Sequence, residues 1–303
     1  MVAAQDVTVI IITKNRTQAL RRLLGSLDQL EVKPGEVIIV SSSNNLEEER
    51  LLVDAFPSLL IRHIYEPKHG YSVARNTGIK AAHGLIVAFV DDDCTVPRNW
   101  IGRIVLAQNR VGKWGVVMGA VTSLPRDNFW SQVAQMHYDN WVKTICHEGY
   151  CSTLDAKVTS FDRDIFIKKG HWFEKSLGAG SEDIEFGYRI AMSGLKILYD
   201  PTVYFYHYER IIWKDVLQQR WRIATSEVVV ARYVKNYELV DMLPPVKLQK
   251  LIPRALRKLR YWFKVSKPLW SLRYVFILPV FFVVRMGGYF WGNLTWLKNQ
   301  KYV

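Results

Sequence analysis

Leu85-Ile86-Val87-Ala88-Phe89-Val90-Asp91-Asp92-Asp93 is an apolar run that ends abruptly in three carboxylates. Six apolar residues with no polar alternation read as a strand buried on both faces. Toward the N-terminus, residues 7–12, 36–40 and 59–65 read as three earlier strands. Helical spacing fills the gaps. In residues 17–30 the apolar positions are Leu20, Leu23, Leu24 and Leu27, and residues 47–56 and 73–82 also read as helices. Pro34-Gly35 breaks the first of these patterns.

The rhythm is β-α-β-α-β-α-β, which predicts an α/β fold with a mainly parallel central sheet flanked by helices. Ligands of such sheets bind beyond the carboxyl ends of the strands. Residues 13–16, 41–45 and 91–93 are polar loops at those ends, so one shared site built from the three is expected. Further on, 114–123 reads as strand, 129–143 as an aromatic-rich helix and 150–167 as mixed. Residues 178–181 read as a loop, 182–192 as a helix, 195–206 as a strand pair around Asp200-Pro201, and 213–233 as a long helix.

Three adjacent carboxylates repel one another unless a cation is present. Hard divalent ions such as Mn2+ or Mg2+ take such oxygens and bridge to phosphates. An isolated triplet reads equally well as a helix N-cap cluster, because Thr95 and Pro97 follow. Its place at a parallel-strand end favours the metal reading. Glu182-Asp183 follows a glycine-rich stretch and opens a helix. With Ser181 before it this is a capping pattern, or else a general base delivered by a loop. His207 closes an aromatic strand and becomes a metal ligand only in company with Asp93.

Composition narrows the class. Half of the 303 residues are apolar, with 11 Trp and 15 Tyr, which excludes disorder for most of the chain. The net charge of +13 is uneven: twelve Lys or Arg and no acid lie in residues 243–303, leaving 13 − 12 = +1 for the rest. Cys94, Cys146 and Cys151 are odd in number and irregularly spaced, which argues against a disulfide scaffold, and Cys146 and Cys151 lack partners at zinc-ligand spacing, so all three are read as reduced cytosolic thiols. The first six residues carry no basic n-region, and no secretory signal is expected.

Four segments taken in order resemble the family 2 glycosyltransferases: Val9-Ile10-Ile11-Ile12-Thr13-Lys14-Asn15-Arg16, Gly70-Tyr71-Ser72-Val73-Ala74-Arg75-Asn76-Thr77-Gly78, Phe89-Val90-Asp91-Asp92-Asp93, and Glu182-Asp183. The resemblance covers residues 7 to 225 and implies a GT-A fold. It implies that Thr13, Asn15, Arg16 and Ser41 line the nucleotide pocket, with Arg75 beside the diphosphate. Asp91, Asp92 and Asp93 then stand on the D-x-D motif that holds ribose and metal, with Asp91, Asp93 and His207 as the metal ligands. Asp183 is the implied base, with Glu182 beside it. Ser41 departs from the family's usual acid there, which leaves the nucleotide base open, although a UDP-sugar is the expected donor. Gln218-Gln219-Arg220-Trp221 is similar to the Q-x-x-R-W box of processive synthases but one residue short, which favours transfer of one sugar. A nucleotidyltransferase and a degenerate nucleotide-sugar-binding scaffold remain the alternatives, disfavoured by the intact acids.

Residues 241–303 are expected to form a second region of basic, amphipathic and hydrophobic helices. In it Lys247, Lys250, Arg254, Arg257, Lys258 and Arg260 lie among Leu, Tyr, Trp and Phe, a membrane-surface pattern. The apolar runs 274–284 and 286–297 argue against a nucleic-acid arm. Arg285 splits them, and each falls short of the roughly 20 residues of a membrane span. Two segments lying in the interface are expected, with a single span as the alternative, at the cytoplasmic face of an anionic membrane. The acceptor is then a glycan or a lipid-linked sugar.

Overall fold

The computed structural model describes residues 1–177, 181–233, 280–281 and 283–291. The first half alternates as the sequence predicts: β1 (Val7–Thr13), α1 (Thr17–Asp28), β2 (Glu36–Ser41), α2 (Leu46–Asp54), β3 (Ile61–Tyr65), α3 (Tyr71–Ala81) and β4 (Ile86–Phe89). β2 pairs in parallel with β1 and with β3, and β1 also pairs in parallel with β4. Val9, Ile10, Ile11, Val37, Ile38 and Ile39 are fully buried, which explains why these strands read as continuous apolar runs.

The second half holds β5 (Cys94–Thr95), α4 (Trp100–Val111), β6 (Val116–Leu124), α5 (Phe129–Ile145), β7 (Cys146–His147), β8 (Tyr150–Cys151), β9 (Thr159–Asp162), α6 (Asp164–Ile167), α7 (Glu182–Met192), β10 (Ile197–Tyr208) and α8 (Trp213–Tyr233). The sheet order is β3-β2-β1-β4-β9-β6-β10-β8-β7, and β5 pairs with β10. β9 runs antiparallel to both β4 and β6, so the sheet as a whole is mixed.

Two details correct the sequence reading. Residues 195–206 do not form a strand pair. β10 is one strand whose register against β6 shifts between Tyr199 and Tyr204, around Asp200-Pro201. Gly119 faces that irregularity, where a Cβ would collide with the Val203 carbonyl. Cys146 and Cys151 are not reduced thiols: they form a disulfide, and Cys94 is the free, buried cysteine. β7 and β8 make a hairpin whose turn residues Glu148 and Gly149 have φ of 50° and 83°. A two-residue turn of that kind sets positions five apart directly opposite each other, which brings the two sulfurs within bonding reach.

A cluster of buried phenylalanines lies under the sheet's working edge. Phe186 of α7 stacks on Phe173 (centroids 4.2 Å apart) and on Phe166 of α6 (5.6 Å). Phe89 of β4 meets Phe161 of β9 edge-on at 5.9 Å and Phe173 at 5.8 Å. Replacing Phe186 with Ala removes a ring that touches three others. Chemical denaturation should show a loss of about 3–5 kcal/mol.

Two compact units are present. One comprises Met1–Ser176 with Glu182–Glu209; the other comprises Leu177–Ser181 with Arg210–Val303. The boundary falls earlier than the expected 240/241, because α8 groups with the C-terminal part. Within that second unit, residues 283–291 are helical straight through Arg285, which therefore does not separate two segments there. Arg285 Nε donates to the Tyr289 hydroxyl at 2.5 Å. A Cβ on Gly287 or Gly288 would strike Trp221 of α8, so the bare backbones let these helices approach closely. The rest of the two apolar runs lies outside the described residues. Among the described residues no helix is long and apolar enough to cross a membrane.

Candidate active site

The three expected loops meet at one edge of the sheet. After β1, Thr13 Oγ1 donates to Asp92 Oδ2 at 2.7 Å, and Arg16 Nη1 donates to Asp92 Oδ1 at 2.5 Å. Asn15 takes a left-handed φ of 54°, a conformation asparagine tolerates better than most residues. There its amide N–H donates to Ser43 Oγ at 2.7 Å, and its side-chain oxygen accepts from Asn44 N–H at 2.9 Å. The loop after β1 is thereby stitched to the loop after β2. Ser41 is fully buried, and its hydroxyl accepts from Ser43 N–H at 3.0 Å, so that side chain is spent inside the fold. Behind it Glu49 of α2 accepts from Ser43 Oγ and meets His63 Nε2 at 2.9 Å. That carboxylate was not anticipated from the sequence.

The Asp triplet divides three ways. Asp92 turns inward, buried, and ties down the β1 loop. Asp91 faces Arg75, 3.9 Å from Nη2. Asp93 meets Arg16 Nη2 at 2.9 Å and His207 Nε2 at 3.3 Å. His207 is brought there by backbone pairing: it lies opposite Cys94 of β5, and Tyr208 N–H donates to the Asp93 carbonyl at 2.9 Å. Its other ring nitrogen, Nδ1, bonds Glu209 Oε1 at 2.8 Å, and Glu209 also accepts from Ser123 Oγ at 2.8 Å.

This donor set suits a hard divalent cation. The two ligand atoms are 3.3 Å apart, close to the roughly 3.0 Å between adjacent corners of an octahedron with metal–ligand bonds of about 2.1 Å. Glu209 supplies the carboxylate behind the imidazole that fixes its orientation. Cys94 Sγ completes the group Asp93, Cys94 and His207. Burial, with Asp93 and Asp91 nearby, pushes the Cys94 thiol up, and a hard cation favours the oxygen and nitrogen donors beside it over sulfur. Asp91, expected among the metal ligands, stands apart from this group on the Arg75 side.

The motif around Arg75 also gains a physical account. Arg75 is buried with its guanidinium 5.5 Å over the Phe173 ring. Its Nη1 donates to Glu182, while its buried Nε–H has no acceptor among the described residues. Asn76 clasps Phe173 in both directions, donating to its carbonyl at 2.8 Å and accepting from its amide at 3.1 Å. Gly78 lets α3 lie on Ile10 and Val40, which a Cβ would strike. Glu182, a candidate base on sequence, is instead buried against Arg75 and orients it. Asp183 is partly accessible and accepts from Ala156 N–H at 3.3 Å. Burial first, then the neighbouring Glu182 and Asp155, raise its carboxyl to about 7, where a general base works best near neutral pH.

Three charged residues missed in the sequence belong here: Glu209, Asp155 and Lys157. Glu209 could have been suspected from its place two residues after His207. The other two carry no local signal.

A mixed sheet whose parallel strands end among paired acids, a histidine and an arginine has a group-transfer architecture of GT-A type. The profile of Glycosyl transferase family 2 matches residues 8–172 of the 303, and the chain belongs to that family. A pre-mycofactocin glycosyltransferase of Mycobacterium tuberculosis is 25% identical over 222 residues, covering 71% of this chain and 45% of the relative. Succinoglycan biosynthesis protein ExoM of Rhizobium meliloti is 27% identical over 176 residues, 55% of each chain. The chain thus spans about half the length of these curated relatives. Among solved structures, the mannosyltransferase PcManGT of Pyrobaculum calidifontis, in complex with GDP-Man and Mn2+, superposes with a TM-score of 0.64 at 18% identity. That match covers 94% of this chain and 87% of the other. S. aureus TarS 1–349 in complex with UDP-GlcNAc gives a TM-score of 0.54 at 15% identity, covering 97% and 92%. These establish the GT-A fold.

Proposed function

We propose that the chain transfers one sugar, with inversion, from a nucleoside-diphosphate sugar to a glycan or lipid-linked acceptor at the cytoplasmic face of a membrane. The observation that carries the reading is the convergence of the Asp93–His207 pair, Arg75 and Asp183 on one sheet edge. Asp93 and His207 would hold a divalent cation, which would offset the charge of a departing diphosphate. Arg75, whose buried Nε–H lacks an acceptor among the described residues, adds positive charge on the same side. Asp183 takes the proton of the acceptor hydroxyl as that oxygen attacks the anomeric carbon. The bond from that carbon to the diphosphate oxygen breaks, and its electron pair leaves with the diphosphate. A base on the face opposite the leaving group gives inversion.

A UDP-sugar is the expected donor, though one structural neighbour holds GDP-Man. Membrane attachment rests on the acid-free basic tail and on an exposed apolar stripe of Val280, Val283, Phe290 and Trp291, all on one helical face. Ile211, Ile212 and Trp213 are exposed in the same unit.

The test has two arms. UDP and GDP, each with and without Mn2+, should raise the melting temperature only with metal, and one base should dominate. The full chain should bind anionic liposomes, and high salt should weaken but not abolish binding, because each nearby Lys or Arg is worth about 1 kcal/mol and is screened. A chain that responds to neither nucleotide loses the transferase reading. One that ignores the liposomes loses the membrane.

A further inference from the structure

β9 runs antiparallel to β4, so its first residues lie beside the end of β4 that leads into the Asp triplet, with Ser160 opposite Ala88. The turn entering β9 carries Asp155, Ala156 and Lys157. It is held firmly: Thr159 Oγ1 donates to the Asp155 carbonyl at 2.6 Å, and Lys157 N–H donates to Asp155 Oδ1 at 3.3 Å. Ala156 N–H donates to Asp183, so the turn touches the base directly. The Lys157 ammonium donates to Asp155 Oδ2, and both side chains keep some accessibility, 21% for Lys157 and 11% for Asp155. The Lys157 charge is felt by both Asp91 and Asp183.

In an in-line displacement the anomeric carbon lies between the leaving diphosphate and the attacking oxygen. A pair on the turn that contacts Asp183, at the start of the strand paired with β4, is therefore placed to face the sugar ring. The pair is internally neutralised, so Lys157 is not a bare cation waiting for phosphate. Two N–H donors of the ammonium and the remaining carboxylate lone pairs sit side by side, the complement of two neighbouring hydroxyls that each donate and accept.

We propose that the Lys157–Asp155 pair reads vicinal hydroxyls of the transferred sugar and sets which donor sugar the enzyme accepts. This rests on the transferase reading above. The pair acts on the sugar and not on the nucleotide, and that split is what the experiment measures.

The full-length chain is first titrated calorimetrically, with Mn2+, against UDP, GDP, UDP-glucose, UDP-galactose, UDP-GlcNAc and GDP-mannose. Lys157→Met and the isosteric Asp155→Asn are then compared with the parent. Each should leave the Kd of the preferred nucleoside diphosphate within about 2-fold. Each should raise the Kd of the preferred nucleotide sugar by about 10-fold or more, as expected for a lost charged hydrogen bond. The preference between UDP-glucose and UDP-galactose should shrink in both variants. Equal weakening of the free diphosphate would make Lys157 a phosphate ligand and overturn the assignment. Unchanged nucleotide-sugar affinity and preference would make the pair a structural clasp and overturn it equally. A parent chain that binds the diphosphates but none of the four nucleotide sugars would remove the sugar reader while leaving the nucleotide site. A parent that binds nothing would remove both.

Discussion

Asp183→Asn is expected to lower transfer by about 100- to 10,000-fold while leaving donor and metal affinity nearly intact. The substitution keeps the shape and the acceptor oxygen for Ala156 N–H but removes the proton-accepting charge. Glu182 cannot take over, because its carboxylate is engaged with Arg75 inside the fold. Single-turnover assays with saturating donor check this. A variant that keeps most of its rate places the base elsewhere. Since burial raises Asp183 to about 7, the basic form grows as pH rises through neutrality, and the parent rate should climb over the same range.

The second large effect concerns the metal. Asp93→Ala should abolish Mn2+-dependent binding of the nucleoside diphosphate, at least about 100-fold, with the fold retained. Glu209→Gln should cost about 10- to 100-fold in metal affinity through the imidazole it orients. The pH dependence follows from His207. Burial would lower its pKa, but Asp93 and Glu209 on either side raise it from 6.5 to about 10. Burial would likewise raise Asp93, yet His207 and Arg16 hold it well below its ordinary range. In the metal-free protein the ion pair therefore stabilises the fold fully below the ordinary histidine value. That contribution fades as pH rises through 10, and on the acid side it is lost as pH falls below the ordinary carboxylate range. A cation on Nε2 must displace a proton over the neutral range, so apparent Mn2+ affinity should rise about tenfold per pH unit from pH 6 to about 8.5. Calorimetry that finds a flat profile removes His207 from the ligand set.

The parallel half of the sheet was legible because its strands are buried on both faces and its helices are amphipathic. α4 buries Trp100, Ile101, Ile104, Ala107 and Gln108 at helical spacing, a pattern that the exposed Leu106 blurs in the sequence. β5 and β9, of two and four residues, carry no periodicity to read. Asp93, Arg75 and Asp183 stand in motifs, so the sequence names them. Ser41, named in the same way, turns out to be a buried support. Asp155, Lys157 and Glu49 act through partners distant in the chain, and their roles appear only when β9 and α2 are in place. The Cys146–Cys151 bond was within reach: its spacing is that of a two-residue hairpin, and Glu148-Gly149 is a turn pair.

The phenylalanine cluster has a consequence for motion. Phe89 lies two residues before Asp91, and Phe186 lies three after Asp183, so the nucleotide-side acid and the base ride on opposite walls of one apolar mass. Neither wall can open without exposing rings that the other wall covers. β4, α6 and the first turns of α7 should therefore belong to a single cooperative unit and open together. The distance between donor and base is then a property of that unit's stability, and fluctuations in the surface loops leave it unchanged.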